Sequence, residues 1–253
     1  MRRLPHFALF LSLAVWTIPL AATRAEALPG TSYPQASSPP TVDQILSNYI
    51  QALGGEEAYH KLKTRVMKGV IHTTGGGEVG SIEIYQAAPN KGTSTTFFPG
   101  DTPMRRGHNG SKGWFVDPDE GPQDATDDAL KDIQQRFNFF RDIQIKEEYP
   151  GMEYRGTETL AGRPAYVTEF KRGDGSSERF YFDTGTGLLV RHDLPTSEGV
   201  ARQMLMSDYR AVDGIKYPFR VQISDPEFEA VIEYTEIGHN VPIDESKFEK
   251  PAR

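Results

Sequence analysis

Residues 203–237 read QMLMSDYRAVDGIKYPFRVQISDPEFEAVIEYTEI, and the alternation of their side chains decides the fold class. A period of two is typical of β-strands that have one buried face and one solvent-exposed face. The turn pair Asp213 and Gly214 separates the first strand from the second. Apolar side chains then occupy every second position in two runs: Ile215, Tyr217, Phe219, Val221 and Ile223, followed by Phe228, Ala230, Ile232 and Tyr234.

Strand patterns of this kind extend over most of the chain. Extended runs are predicted at residues 93–98, 104–108, 113–116, 152–159, 165–171, 177–183 and 188–194, after a first hairpin that starts at Val66. Before the strands, a helix is predicted at residues 41–53 with the capping pair Thr41 and Gln44, followed by a short helical piece at residues 56–62. One further helix, at residues 125–143, interrupts the strands. Because about ten strands follow one another without βαβ alternation, we expect a mainly β (α+β) fold built on a single, strongly curved antiparallel sheet.

The amino terminus has the pattern of a secretory signal. Arg2 and Arg3 precede an apolar stretch at residues 7–20, which is shorter than the roughly 20 residues that a spanning helix needs. We expect a signal peptide at residues 1–27, cleaved after Ala27 or alternatively after Ala25. A flexible Pro/Ser-rich linker at residues 28–40 and a single domain at residues 41–253 would then follow, released into the periplasm and not membrane-spanning after cleavage.

Charge and cysteine content exclude several classes of partner. The net charge of −7 argues against nucleic acid, which attracts basic patches. With no cysteine, the chain has neither a disulfide framework nor a lipid-modified cysteine.

No catalytic or metal-binding constellation stands out. The histidines after the signal sequence are scattered, without the i, i+4 spacing that places two imidazoles on one helical face. No serine lies in a nucleophile elbow, and neither glycine cluster has the spacing of a phosphate loop. We therefore expect no metal, no cofactor and no enzymatic activity. Paired carboxylates distant in sequence stay open as a hydrolase alternative.

Four stretches resemble the LolA/LolB-like superfamily of bacterial envelope proteins, which includes outer-membrane lipoprotein-sorting proteins. They are ILSNYIQALGGEEAYHKLKTRVMKG at residues 45–69, YFDTGTGLLVRHD at 181–193, SDYRAVDGIKYPFRV at 207–221 and NVPIDESKFEKP at 240–251. The resemblance implies a half-open barrel whose concave face is covered by the helices, with an apolar cavity for acyl chains. The chain lacks the lipid-modified cysteine of the LolB-type members.

The leading functional hypothesis is a non-enzymatic binder or carrier of a lipid, acyl chain or lipoprotein. An envelope scaffold that docks another protein without a small ligand is the alternative, and a hydrolase is the third. Aromatic and aliphatic side chains beneath the 125–143 helix and on the strands opposite it are expected to line the apolar pocket. These ligand-binding candidates are Trp114, Leu130, Ile133, Phe137, Phe140, Phe180, Phe182, Phe219 and Val221.

Overall fold

The computed structural model describes residues 38–195, 201–224, 226 and 229–252, so the predicted signal peptide and all but the end of the predicted linker lie outside the described residues. Neighbouring strands of its sheet are all antiparallel, in the order β6-β5-β4-β3-β2-β1-β13-β12-β11-β10-β9-β8-β7. The strands are β1 Thr64–His72, β2 Glu78–Ala87, β3 Lys91–Phe97, β4 Met104–Asn109, β5 Gly113–Asp117, β6 Gly121–Asp124, β7 Glu153–Leu160, β8 Arg163–Lys171, β9 Ser177–Asp183, β10 Leu189–Pro195, β11 Ala201–Val212, β12 Ile215–Ser224 and β13 Glu229–His239.

Two meanders meet where the first strand pairs with the last. Arg65 of β1 lies opposite His239 of β13, and Ile71 lies opposite Ile232. The sheet is curved and half open, with β6 and β7 at the two ends of the strand order. The predicted mainly β, half-open architecture is confirmed, and the described residues form thirteen strands in place of about ten.

The helices are short and follow local signals. They are α1 Val42–Leu53, α2 Glu56–His60, α3 Asp127–Phe137 and α4 Ile145–Glu148, with a 3₁₀ helix at Glu245–Phe248. The predicted capping pair is present, since the backbone N–H of Gln44 donates to the Thr41 hydroxyl and the Gln44 side chain accepts from the Thr41 N–H. Gly54 ends α1 with a φ of 130°, close to the carbonyl of Gly214.

The mid-chain helix ends earlier than predicted. Asn138 leaves the helical conformation, and its side-chain oxygen accepts the N–H of Phe140 at 3.1 Å. The N–H of Phe139 donates to the carbonyl of Pro89 at 2.9 Å, which draws the chain onto the sheet. Phe140 therefore lies in the turn after α3 and not on the helix.

The α-helices α1 and α3 cover one face of the sheet. Arg65, Gln86, Gly92 and His108 form one row across four strands, so their side chains share a face. Gly92 lies against Phe137 of α3. Arg65 of the same row lies over the ring of Tyr217, which belongs to the cluster that packs around α1. We call this the helix face.

Candidate functional site

The α3 side of the helix face is tightly packed. Three predicted ligand residues, Leu130, Ile133 and Phe137, contact one another there with Ala125 and Phe115. Phe137 is 1% exposed, and glycines in β3 and β5 allow the close approach of the helix. A Cβ atom at Gly92 would lie 2.2 Å from the Cδ1 atom of Phe137. These side chains fill the space between α3 and the sheet.

Four other predicted residues belong to the larger cluster around α1. Phe140, Phe180, Phe182 and Phe219 pack there with helix residues that include Tyr49. The rings of Tyr49 and Phe182 lie 5.2 Å apart. A pocket of about 200 Å³ opens beside Phe182, lined by α1 residues and the turn at residues 183–187. It is smaller than the roughly 300–1,000 Å³ of typical ligand pockets.

The two remaining predicted residues lie apart from both clusters. Trp114 follows Gly113, which contacts α3, so its side chain is on the opposite face of the sheet. Its Nε1–H donates to the carbonyl of Phe248 at 2.8 Å. Val221 is buried on the helix face of β12, opposite Ile232. The nine predicted residues thus do not surround one pocket, and their role in binding stays a prediction.

A polar row crosses the helix face between the two clusters. The Nε and Nη2 atoms of Arg65 donate to the Gln86 side chain at 2.9 and 2.6 Å, and Nη1 lies 3.3 Å from the Tyr217 hydroxyl. That hydroxyl also lies 3.0 Å from Nε2 of His239. The Arg65 guanidinium stacks over the Phe139 ring. This end of β1, β2 and β13 is therefore covered.

The other end of the same strands carries an apolar surface, which we call the central strip: Met67, Ile71, Ile82, Ile84, Ile232 and Tyr234. Their positions follow from register, since Met67 lies opposite Ile84, and Ile82 and Tyr234 flank Gly69. α3 packs on β3, β4 and β5, and α1 packs on β12. The strands of the strip lie between these two groups in the sheet order.

The central strip is partly open to solvent. Met67, Ile82, Ile84 and Tyr234 are half-buried, whereas Ile71 and Ile232 are buried in a small cluster against which Phe98 packs. Met104 continues the helix face on β4 with 45% of its surface exposed. Desolvation nevertheless raises the pKa of Tyr234. An open apolar surface of this kind marks a candidate interaction site.

Two arginines border the central strip on its α3 side. Arg106 lies in the same cross-strand row as Ile84, two strands away, and Arg136 is in the last turn of α3. Arg136 reaches solvent, yet desolvation and the nearby charges of Arg106 and Arg141 lower its pKa to about 10. Burial also lowers the pKa of Arg106. The site thus combines an apolar floor with positive charge at one edge.

Sequence reasoning missed both parts of this site. The alternation of β2 and β13 puts Ile82, Ile84 and Ile232 on covered faces, but it does not say which stretch of a face the helices leave open. The two arginines lie thirty residues apart and share no motif. Only the packing of α3 on β4 brings them together.

A buried charged group lies elsewhere on the helix face. Nε2 of His192 is 2.8 Å from Glu178, which also accepts from Nε of Arg172 at 2.7 Å. The imidazole stacks on Phe180 with ring centroids 4.1 Å apart. Burial lowers the pKa of His192. Burial raises the pKa of Glu178, but hydrogen bonds from His192 and Arg172 outweigh it and hold that pKa below its usual value.

Comparison with solved structures identifies the fold as LolA/LolB-like. A DUF1329 family protein from Desulfovibrio piger superposes with a TM-score of 0.57 at 16% identity, covering 83% of this chain and 98% of that one. A LolA superfamily protein from Nitrosomonas europaea gives 0.55 at 13% identity, with 84% and 99% covered. A domain described as that of an outer membrane lipoprotein-sorting protein, from Vibrio parahaemolyticus, gives 0.51 at 9%, with 80% and 97% covered.

No protein-family model and no curated protein sequence matches the chain. In the part of the chain that the structure describes, no helix is both long and apolar enough to cross a membrane. Within the same residues, no group of three histidine, aspartate or glutamate side chains is placed to hold a metal ion.

Proposed function

We propose that the chain is a periplasmic, non-enzymatic binder or carrier of a lipid, acyl chain or lipoprotein, and that the apolar part of the ligand lies on the central strip. The observation that carries this proposal is the open apolar surface between the strands covered by α3 and those covered by α1. The secretory pattern of the first residues supports an extracytoplasmic location.

The fold supports the same proposal. One structure with this fold is described as an outer membrane lipoprotein-sorting protein domain. Burial of an acyl chain contributes about 0.8 kcal/mol per methylene, so a surface of a few isoleucines can hold part of one chain. Phe219 and Val221, two of the sequence-predicted ligand residues, share the helix face of β12 beside the strip.

The test is a titration with a fluorescent fatty acid, after native mass spectrometry of the protein purified from its host envelope. Ile82→Gln places a polar amide in the central strip and should weaken binding about tenfold, the equivalent of losing roughly two buried methylenes. Val70→Gln is the matched control. Val70 is also half-buried but points to the opposite face of β1, so that variant should bind like the wild type.

Other outcomes decide against the proposal. Equal affinities of the two variants, or no copurified lipid and no bound fatty acid, would remove the carrier function and favour the scaffold alternative. Circular dichroism spectra of both variants must match the wild type, because the comparison requires folded protein.

A further inference from the structure

We propose that the ligand of the central strip is an anionic amphiphile, whose carboxylate or phosphate group is held by Arg106 and Arg136. This inference rests on the proposed function and names the chemistry of the ligand's polar end. It is carried by the placement of two guanidinium groups beside an apolar floor.

The first observation is the pairing of the other arginines. The chain has more acidic than basic residues, with 35 Asp and Glu against 28 Lys and Arg. Carboxylates are accordingly available to most arginines of the described residues. Ion pairs are seen, for example, at Arg155, Arg163, Arg172, Arg179, Arg191, Arg210 and Arg220.

Arg106 and Arg136 differ from that group. Among the described residues, neither has a carboxylate oxygen within ion-pair distance or a hydrogen-bonding side chain. Asp132 of α3 is the acidic residue whose charge acts on both of them. Arg141, a further positive neighbour, donates to the Tyr149 hydroxyl at 2.8 Å. The local charge at this edge is therefore positive in an acidic protein.

Two neighbouring guanidinium groups repel each other, and a bound anion relieves that repulsion. Guanidinium presents paired N–H donors that match a carboxylate or phosphate. Arg106 is half-buried, and desolvation of its guanidinium strengthens such an interaction, whereas Arg136 is exposed to solvent. Arg106 shares a cross-strand row with Ile84, two strands away, which places the positive edge beside the apolar floor.

The geometry also sets the direction in which the ligand lies. An acyl chain on Ile82 and Ile84 would run along β2, and its polar end would meet Arg106 in the row that contains Ile84. A neutral lipid would leave the two charges without a partner. The site therefore selects an amphiphile with a negative head over its uncharged ester.

The experiment measures displacement of a fluorescent fatty acid by palmitate, by methyl palmitate and by inorganic phosphate. Palmitate should displace the probe at about tenfold lower concentration than the ester, because only the carboxylate forms charge-assisted hydrogen bonds with the guanidinium groups. Arg136→Gln should reduce palmitate affinity about tenfold and leave the ester unchanged. Lys131→Gln removes the same charge from the exposed side of α3 and should change neither.

The outcomes separate the two proposals. If ester and acid bind equally and Arg136→Gln affects neither, the anionic head is wrong while lipid binding stands. If inorganic phosphate alone displaces the probe as well as palmitate does, the site binds a free oxyanion and the amphiphile is wrong. If neither palmitate nor its ester binds, both the inference and the proposed function fail.

Discussion

Replacement of Gly92 by alanine should destabilise the protein through α3. The added Cβ atom would lie 2.2 Å from Cδ1 and 2.7 Å from Cγ of Phe137, where ordinary contacts begin near 3.4 Å. The ring must therefore move by more than an ångström. It is 1% exposed and packed against Ile133, so it cannot turn into solvent. Overpacking of this kind costs about 1–3 kcal/mol.

An opposing effect reduces this loss of stability. Alanine restricts the unfolded chain more than glycine does, which stabilises the folded state by about 0.4–1 kcal/mol where the site has room. At Gly92 the steric cost is larger, and we expect a net loss of about 2 kcal/mol. For a chain of this size that corresponds to a fall in Tm of roughly 4–8 °C.

Urea unfolding followed by circular dichroism measures the effect. Gly75→Ala is the control, because the nearest atom to its new Cβ would be 3.7 Å away, and its stability should stay within about 0.5 kcal/mol of the wild type. Adding Phe137→Leu to Gly92→Ala should cost less than the sum of the two single changes. A stable Gly92→Ala variant, or strict additivity in the double variant, would refute the packing argument.

Two further predictions concern buried groups on the two faces of the sheet. Since the folded state holds His192 with a pKa below 6.5, the unfolded state binds the proton more readily, and the free energy of unfolding should fall as the pH drops below about 6.5. His192→Gln should reduce that pH dependence in urea titrations, whereas the exposed His60→Gln should keep it. Trp114→Phe leaves the carbonyl of Phe248 without its donor and should cost about 1–3 kcal/mol, with faster hydrogen exchange at residues 245–252; unchanged exchange there would contradict the assigned hydrogen bond.

Local signals in the sequence were sufficient for most of the strands. β9 and β12 begin and end at the predicted residues, because alternating apolar side chains and glycine turns delimit them. β6 was missed, since Gly121 and Pro122 read as a loop and the strand carries no apolar alternation. Antiparallel pairing with β5 makes this segment a strand.

The end of α3 shows where periodicity misleads. Phe140 continues the helical spacing of Ile133 and Phe137, so the pattern alone predicts a longer helix. Asn138 terminates it through hydrogen bonds to Phe140 and Glu148. The aromatic side chains predicted to line one pocket consequently divide between two packed clusters.

The central strip depends on contacts between residues far apart in the chain. β1 meets β13 across more than 150 residues, and this pairing sets Ile71 beside Ile232. No local pattern encodes which part of the joined face stays uncovered. That part is determined by where α1 and α3 find their own partners in the sheet.

The two packed clusters hold α1 and α3 in place without a ligand on the central strip. α3 is fixed by Phe137 against Gly92, and α1 by contacts such as that of Tyr49 with Phe182. Neither helix uses a residue of the central strip as its main support, so a ligand need not displace a helix to reach the strip. A preformed surface of this kind avoids the cost of ordering on binding. The affinity loss of Ile82→Gln should therefore appear without a matching loss of α1 or α3 protection in hydrogen exchange.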